Sequence, residues 1–164
     1  MQKINRYIRK IPFLSAFFVL AAVVVCFTFL YLIYFEFLGE RFDIVFVENP
    51  YDGIENFVFM VLVLAPLLET LIFQVGVFHL LRLIKWLRKR ECYIVFISGV
   101  LFGLDHFFSL SHIIVTTLLG FFFMYVYLVR RRKGGYWMVV LLHAFYNGLL
   151  LLYSNFSQSC CCNC

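Results

Sequence analysis

Five long apolar stretches divide this chain and constrain its fold more than any other feature of the sequence. They cover about residues 11–37, 56–81, 92–108, 111–129 and 136–153. A transmembrane helix needs about 20 mostly apolar residues to cross the hydrocarbon core of a bilayer. Because 64% of the residues are hydrophobic and only 14% are charged, a water-soluble fold could not bury its apolar side chains. The sequence therefore predicts an all-α integral membrane bundle of about five transmembrane helices, forming one membrane domain over residues 1–164.

Of the 14 lysine and arginine residues, 13 fall on one side of the membrane if every stretch crosses it. Of the 14 such residues, four precede the first stretch, five lie in the 82–90 connector and four lie in residues 130–133. The positive-inside rule then predicts a multi-pass protein of the plasma membrane with a cytoplasmic N-terminus and an external C-terminus. The first stretch is longer than the core of a signal peptide, so residues 1–40 are predicted to form an uncleaved signal-anchor helix. Such basic flanks contact membrane lipid headgroups and do not indicate a nucleic-acid partner.

Two segments outside the stretches have a distinctive composition. The 39–55 loop carries Arg41, the remaining cation, among several acidic residues. The tail, residues 154–164, ends with four cysteines in its last five residues. Zinc binding, disulfide formation and acylation are all conceivable for such a cluster, but it lacks the aliphatic pair of a prenylation motif. We expect the cysteine-rich tail to be a terminus without a defined role.

Four polar side chains occur inside the predicted spans. An ionisable side chain at the centre of a membrane helix costs at least about 2.5–3.5 kcal/mol on insertion scales, so it normally faces the bundle interior and has a function there. The residues are Glu69 in the second stretch, His106 in the third, and His143 and Asn147 in the fifth.

Helical spacing places these side chains on faces that can meet. The residues of three pairs are each four positions apart and share a helix face: Thr70 and Gln74, Phe102 and His106, and His143 and Asn147. Three helices can therefore direct a carboxylate, two imidazoles and an amide into one cavity.

Three short motifs in this order resemble those of the CPBP family, the CAAX proteases and bacteriocin-processing enzymes. Residues 66–74, Pro-Leu-Leu-Glu-Thr-Leu-Ile-Phe-Gln, resemble its motif Glu-Glu-x-x-x-Arg preceded by a proline. Residues 102–106 resemble its Phe-x-x-x-His motif, and residues 143–147 resemble His-x-x-x-Asn. The resemblance covers about residues 57–150, and each motif falls within a predicted span.

The resemblance implies an intramembrane endopeptidase that needs no cofactor and cleaves a membrane-tethered peptide. In the family pattern, Glu69 and His106 hold and deprotonate a water molecule, and His143 and Asn147 stabilise the oxyanion. Thr70, Gln74 and Phe102 would contact these catalytic residues and hold them in position.

The sequence departs from the family pattern at two positions. Thr70 replaces the second glutamate and Gln74 replaces the arginine. The exchange keeps the same net charge on this helix and avoids the desolvation of a buried ion pair. A hydrogen bond between Thr70 and Gln74 is expected in place of that ion pair.

Three other interpretations remain open. Glu69, His106 and His143 could form a zinc site of two histidines and a glutamate, although the chain has no His-Glu-x-x-His helix. A catalytically degenerate family member could act as a membrane immunity or scaffold protein. A proton or ion pathway could also use buried ionisable residues, although repeat symmetry, common in transporters, is not evident.

Overall fold

The computed structural model describes residues 7–38, 53–107 and 110–161. The predicted cations Lys3 and Arg6, residues 39–52 of the predicted acidic loop and the last three residues of the cysteine-rich tail lie outside these ranges. The all-α class is confirmed, since 90% of the residues that the structure describes are helical and none of them lies in a strand.

Five helices form the bundle. They are α1 (Phe13–Leu38), α2 (Ile54–Leu83), α3 (Glu91–Asp105), α4 (Leu110–Arg130) and α5 (Gly135–Cys161). Among the described residues, α1, α2, α4 and α5 are long and apolar enough to cross a membrane. The chain is therefore an integral membrane protein. Helix α5 continues through residue 161, so the first part of the predicted tail is helical.

The third predicted span corresponds to a much shorter helix. Helix α3 has 15 residues, or about 22 Å at 1.5 Å per residue, against about 30 Å of hydrocarbon. It ends at Asp105, because the backbone of His106 leaves the helical region (φ −105°, ψ 48°). His106 lies 15 residues from the start of α3, and Glu69 lies 14 residues from the end of α2. The two residues therefore lie at a similar depth.

Helix α2 is not a regular α-helix. It contains π-helical segments at Met60–Leu64 and Thr70–Gly76, separated by an α-helical segment at Ala65–Glu69. Single π-helical turns inside α-helices are frequent at functional sites.

Close packing of α3 against α4 depends on small residues. A Cβ atom added to Gly120 of α4 would lie 2.9 Å from Cα of Gly99 in α3, so the two backbones touch at this crossing. Such close approach is common where membrane helices associate. The buried core continues from this crossing across α5, with Phe102, Phe123, Met124, Met138 and Leu142 almost fully buried.

Candidate functional site

The carboxylate of Glu69 lies within reach of two histidines on other helices. Its Oε2 is 3.6 Å from Nε2 of His106, which follows α3, and 3.6 Å from Nε2 of His143 in α5. The side chains of Glu69 and His106 are about one-fifth exposed (21% and 20%), whereas that of His143 is 4% exposed. Three of the four polar residues singled out by sequence therefore meet at one point, with limited access from outside.

A backbone contact sets the protonation pattern of His106. Its Nδ1 lies 2.9 Å from the carbonyl oxygen of Phe102, and because a carbonyl can only accept, Nδ1–H is the donor. In the neutral ring, Nε2 then presents a lone pair toward Glu69. A lone pair and a carboxylate oxygen cannot bond directly to each other, but one molecule with two O–H groups can donate to both. The pair is therefore suited to holding a water molecule.

Aromatic rings hold both imidazoles in place. The Phe102 ring centroid lies 4.8 Å from that of His106 and 5.6 Å from that of His143. The ring of Phe123 lies 5.1 Å from that of His143. Phe102 and Phe123 are almost completely buried. Phe102, predicted from its spacing to support His106, thus contacts both histidines.

Several buried polar atoms of α2 and α5, the helices that carry Glu69 and His143, have no hydrogen-bond partner among the residues that the structure describes. They are Glu69 Oε2, Thr70 Oγ1, both amide atoms of Gln74, His143 Nδ1 and Tyr146 OH. Buried polar atoms in proteins are normally paired with protein groups or with ordered water. Unpaired atoms of this kind favour water or the polar groups of a peptide in the interior of the bundle.

The predicted hydrogen bond between Thr70 and Gln74 is not formed, so this prediction is wrong. Both side chains are completely buried, yet neither is bonded to the other or to any other described residue. The expectation assumed an α-helix, in which residues four apart face each other. Residues Thr70–Gly76 instead form a π-helix, whose backbone geometry differs from the one that the expectation assumed.

Side chains of neighbouring helices donate hydrogen bonds to main-chain carbonyls of α2. These carbonyls lie on both sides of Glu69, and the bonds fix the depth and rotation of α2 against α3 and α5. The three bonds run from Asn147 Nδ2 to Val61 O (2.9 Å), from Tyr136 OH to Leu67 O (3.2 Å) and from Ser98 Oγ to Phe73 O (2.7 Å).

The contact made by Asn147 follows from a proline. In the first π-helical segment the N–H of Ala65 donates to Met60 O, five residues earlier. The next bond in this register would join residue 66 to Val61 O, but Pro66 has no N–H. Asn147 supplies the missing donor. Its carboxamide has two N–H groups, so one donor remains for another partner.

The sequence did not single out Tyr31 or assign His112 to the site. The Tyr31 hydroxyl lies 3.2 Å from Nδ1 of His112 in the first turn of α4, and the His112 ring lies 5.9 Å from that of His106. Tyr31 is buried. No spacing signal links these residues to the motifs, because the contact joins helices that are distant in the sequence.

The zinc interpretation concerns the same three side chains. Within the described ranges, no group of three or more histidine, cysteine, aspartate or glutamate residues is arranged to hold a metal ion. The zinc site at Glu69, His106 and His143 and the cofactor-free alternative both stay predictions.

Comparison with known proteins gives one match. The model of the Rce1-like family, described as type II CAAX prenyl endopeptidase Rce1-like, matches residues 55–149, more than half of the chain. The matched region runs from the start of α2 to the middle of α5 and includes Glu69, His106, His143 and Asn147. No curated protein and no solved structure matches the chain.

Proposed function

The chain belongs to the Rce1-like family of type II CAAX prenyl endopeptidases, and on that basis we propose that it hydrolyses a membrane-tethered peptide through a water molecule activated by Glu69 and His106. The family supports a CAAX-type intramembrane protease. The observation that carries the finer proposal is the approach of a single carboxylate oxygen of Glu69 to two imidazoles at 3.6 Å.

Water activation is the first step. The water donates one hydrogen bond to Oε2 of Glu69 and the other to Nε2 of His106. As its oxygen attacks the scissile carbonyl, a C–O bond forms and Glu69 takes the proton, acting as a general base. When the C–N bond breaks, that proton passes to the leaving amine.

Stabilisation of the oxyanion is the second requirement. His143, with Nε2 protonated, and the remaining N–H of Asn147 are the donors that the proposal assigns to it. Pre-oriented donors of this kind contribute about 3–4 kcal/mol to a transition state in other hydrolases. The rings of Phe102 and Phe123 hold His143 rigidly, as such a role requires.

The proposal also covers the orientation of the chain in the membrane and its cofactor requirement. The chain would be a multi-pass protein of the plasma membrane, with a cytoplasmic N-terminus and an external C-terminus, and would need no metal. Activity that disappears with a zinc chelator and returns with zinc would replace this mechanism by the metal alternative.

The test compares cleavage of a membrane-tethered peptide by purified wild type, Glu69→Gln and His143→Ala, with Glu91→Gln as the matched control. Glu91 is an exposed glutamate at the start of α3. Loss of cleavage in the first two variants, with the control active and all proteins folded, is the expected result. Full activity of folded Glu69→Gln protein would refute the assignment.

A second candidate function rests on the departure at Thr70 and Gln74. A family member that lacks the glutamate and arginine of the usual motif could bind a tethered peptide without cleaving it, as an immunity or scaffold protein. Wild-type protein that binds the peptide tightly but leaves it intact would support this alternative.

A further inference from the structure

A cavity at the basic end of the bundle lies apart from the candidate site. It has a volume of about 360 Å³ and an apolar side formed by Leu128. Four cationic side chains and the carboxylate of Glu91 line it; the cations are Arg9, Arg131, Arg132 and Lys133. None of these five residues forms an ion pair within the described part of the chain, so the cationic charge is available to a ligand.

A buried arginine builds this cavity. Arg130 is only 2% exposed, and its Nη1 donates to the carbonyl oxygens of Ile8 (2.7 Å) and Ile11 (3.2 Å). These bonds fix the segment that carries Arg9 against the end of α4. The guanidinium of Arg131 lies over the ring of Phe78 at 4.9 Å, which restricts this side chain as well.

We propose that this basic cavity, lined by Arg9 and residues 131–133, binds the phosphate of an anionic phospholipid headgroup. The lining residues lie where α1 and α3 begin and α4 ends, the level at which headgroups meet the ends of membrane helices. Basic pockets between membrane helices bind anionic headgroups in this way. Leu128 and Val129 also line the cavity, and an apolar side of this kind suits a lipid better than a soluble anion.

The test compares binding of phosphatidylglycerol by full-length protein in phosphatidylcholine nanodiscs, measured by native mass spectrometry. One variant combines Arg131→Gln, Arg132→Gln and Lys133→Gln. The control variant combines Lys85→Gln, Arg88→Gln and Lys89→Gln. It removes the same charge from exposed residues of the 82–90 connector, at the same end of the bundle.

The cavity variant should lose phosphatidylglycerol affinity by about tenfold or more, and the control should lose much less, because its three residues do not line the cavity. Equal losses of affinity in both variants would mean that the cavity binds the lipid no better than other basic residues at this end of the bundle, and would overturn the proposal. Inorganic phosphate that displaces the lipid at equal concentration would assign the site to a soluble anion instead. Thermal unfolding verifies that each variant is folded.

A different observation concerns the pair Tyr31 and His112. A hydrogen bond joins Tyr31 in α1 to His112 in α4, and a ring contact joins His112 to His106. From His106 the contacts continue to Glu69 in α2 and then to His143 in α5. Each of the five helices contributes a residue to this series of contacts, although α1 lies outside the matched region of residues 55–149.

We infer that Tyr31 and His112 are positioning residues for His106. The hydroxyl of Tyr31 fixes the His112 ring, and that ring packs against His106 while Phe102 packs against His106 as well. The imidazole that holds the water is thus kept in one orientation. This inference rests on the proposed hydrolytic function.

The test uses Tyr31→Phe, His112→Ala and His112→Asn, with Tyr93→Phe as the control. Tyr93 is an exposed tyrosine of α3, so its variant loses the same hydroxyl away from the site. Tyr31→Phe and His112→Ala should each lower kcat about threefold to tenfold, the effect of one hydrogen bond, with KM unchanged. His112→Asn should recover part of the rate, because its side-chain oxygen can accept from Tyr31. In nitrogen NMR spectra, the ring signals of His106 should shift in Tyr31→Phe.

Three outcomes separate this inference from the proposed function. Wild-type activity that depends on Glu69 but is unchanged in Tyr31→Phe and His112→Ala would overturn the positioning role alone. A wild type without any cleavage would overturn the hydrolytic function, and unshifted His106 ring signals would overturn the contact independently of activity.

Discussion

Replacing Asn147 by alanine should destabilise the bundle through an unpaired carbonyl. The variant removes the donor at 2.9 Å from Val61 O, and Pro66 cannot replace it, because it has no N–H. Leaving a buried acceptor without a partner costs about 1–3 kcal/mol. Hydrogen bonds between membrane helices average about 0.6 kcal/mol with a maximum of about 1.7 kcal/mol. We therefore expect a loss of about 1–2 kcal/mol in unfolding free energy.

The proline offers an internal control for this reasoning. In a Pro66→Ala background, residue 66 regains an N–H that can reach Val61 O, so the alanine substitution at Asn147 should cost clearly less. The assay is reversible unfolding in mixed micelles of the two single variants and the double variant, analysed as a double-mutant cycle. An equal cost in both backgrounds would refute the link between Pro66 and Asn147.

Two further predictions concern packing and the altered motif. Gly120→Ala should lower the unfolding free energy by about 1–3 kcal/mol, since its Cβ would lie 2.9 Å from Gly99 Cα. An unchanged transition in the same unfolding assay would contradict the close crossing of α3 and α4. Thr70→Glu should lower stability by about 3–5 kcal/mol, because it leaves a buried carboxylate without a partner, and adding Gln74→Arg should restore most of that loss. A Thr70→Glu variant as stable as wild type would show that residue 70 is accessible to water.

The convergence of Glu69, His106 and His143 could be anticipated from sequence. Ionisable groups are costly in lipid, so each was expected to face the bundle interior, and the periodicity of a helix limits which residues share a face. These two constraints act locally, and they do not depend on how the helices pack. The structure accordingly brings the three side chains together, while their catalytic roles stay predictions.

The features that sequence reasoning missed arise from packing between distant segments. The π-helical segment at Thr70–Gly76 was missed because no residue pattern signals it. The early end of α3 was missed because residues 106–108 are compatible with an apolar span. The contact between Tyr31 and His112 depends on how α1 lies against the remaining helices.

The most direct measurement follows isotopically labelled oxygen through one turnover. The purified protein cleaves a membrane-tethered peptide once in water enriched in oxygen-18, and mass spectrometry examines both the product and the enzyme peptide that contains Glu69. If Glu69 activates a water molecule, one labelled oxygen appears in the new carboxylate of the product and none in Glu69. Label in the Glu69 carboxylate would mean that it attacks the peptide directly, which would contradict the account.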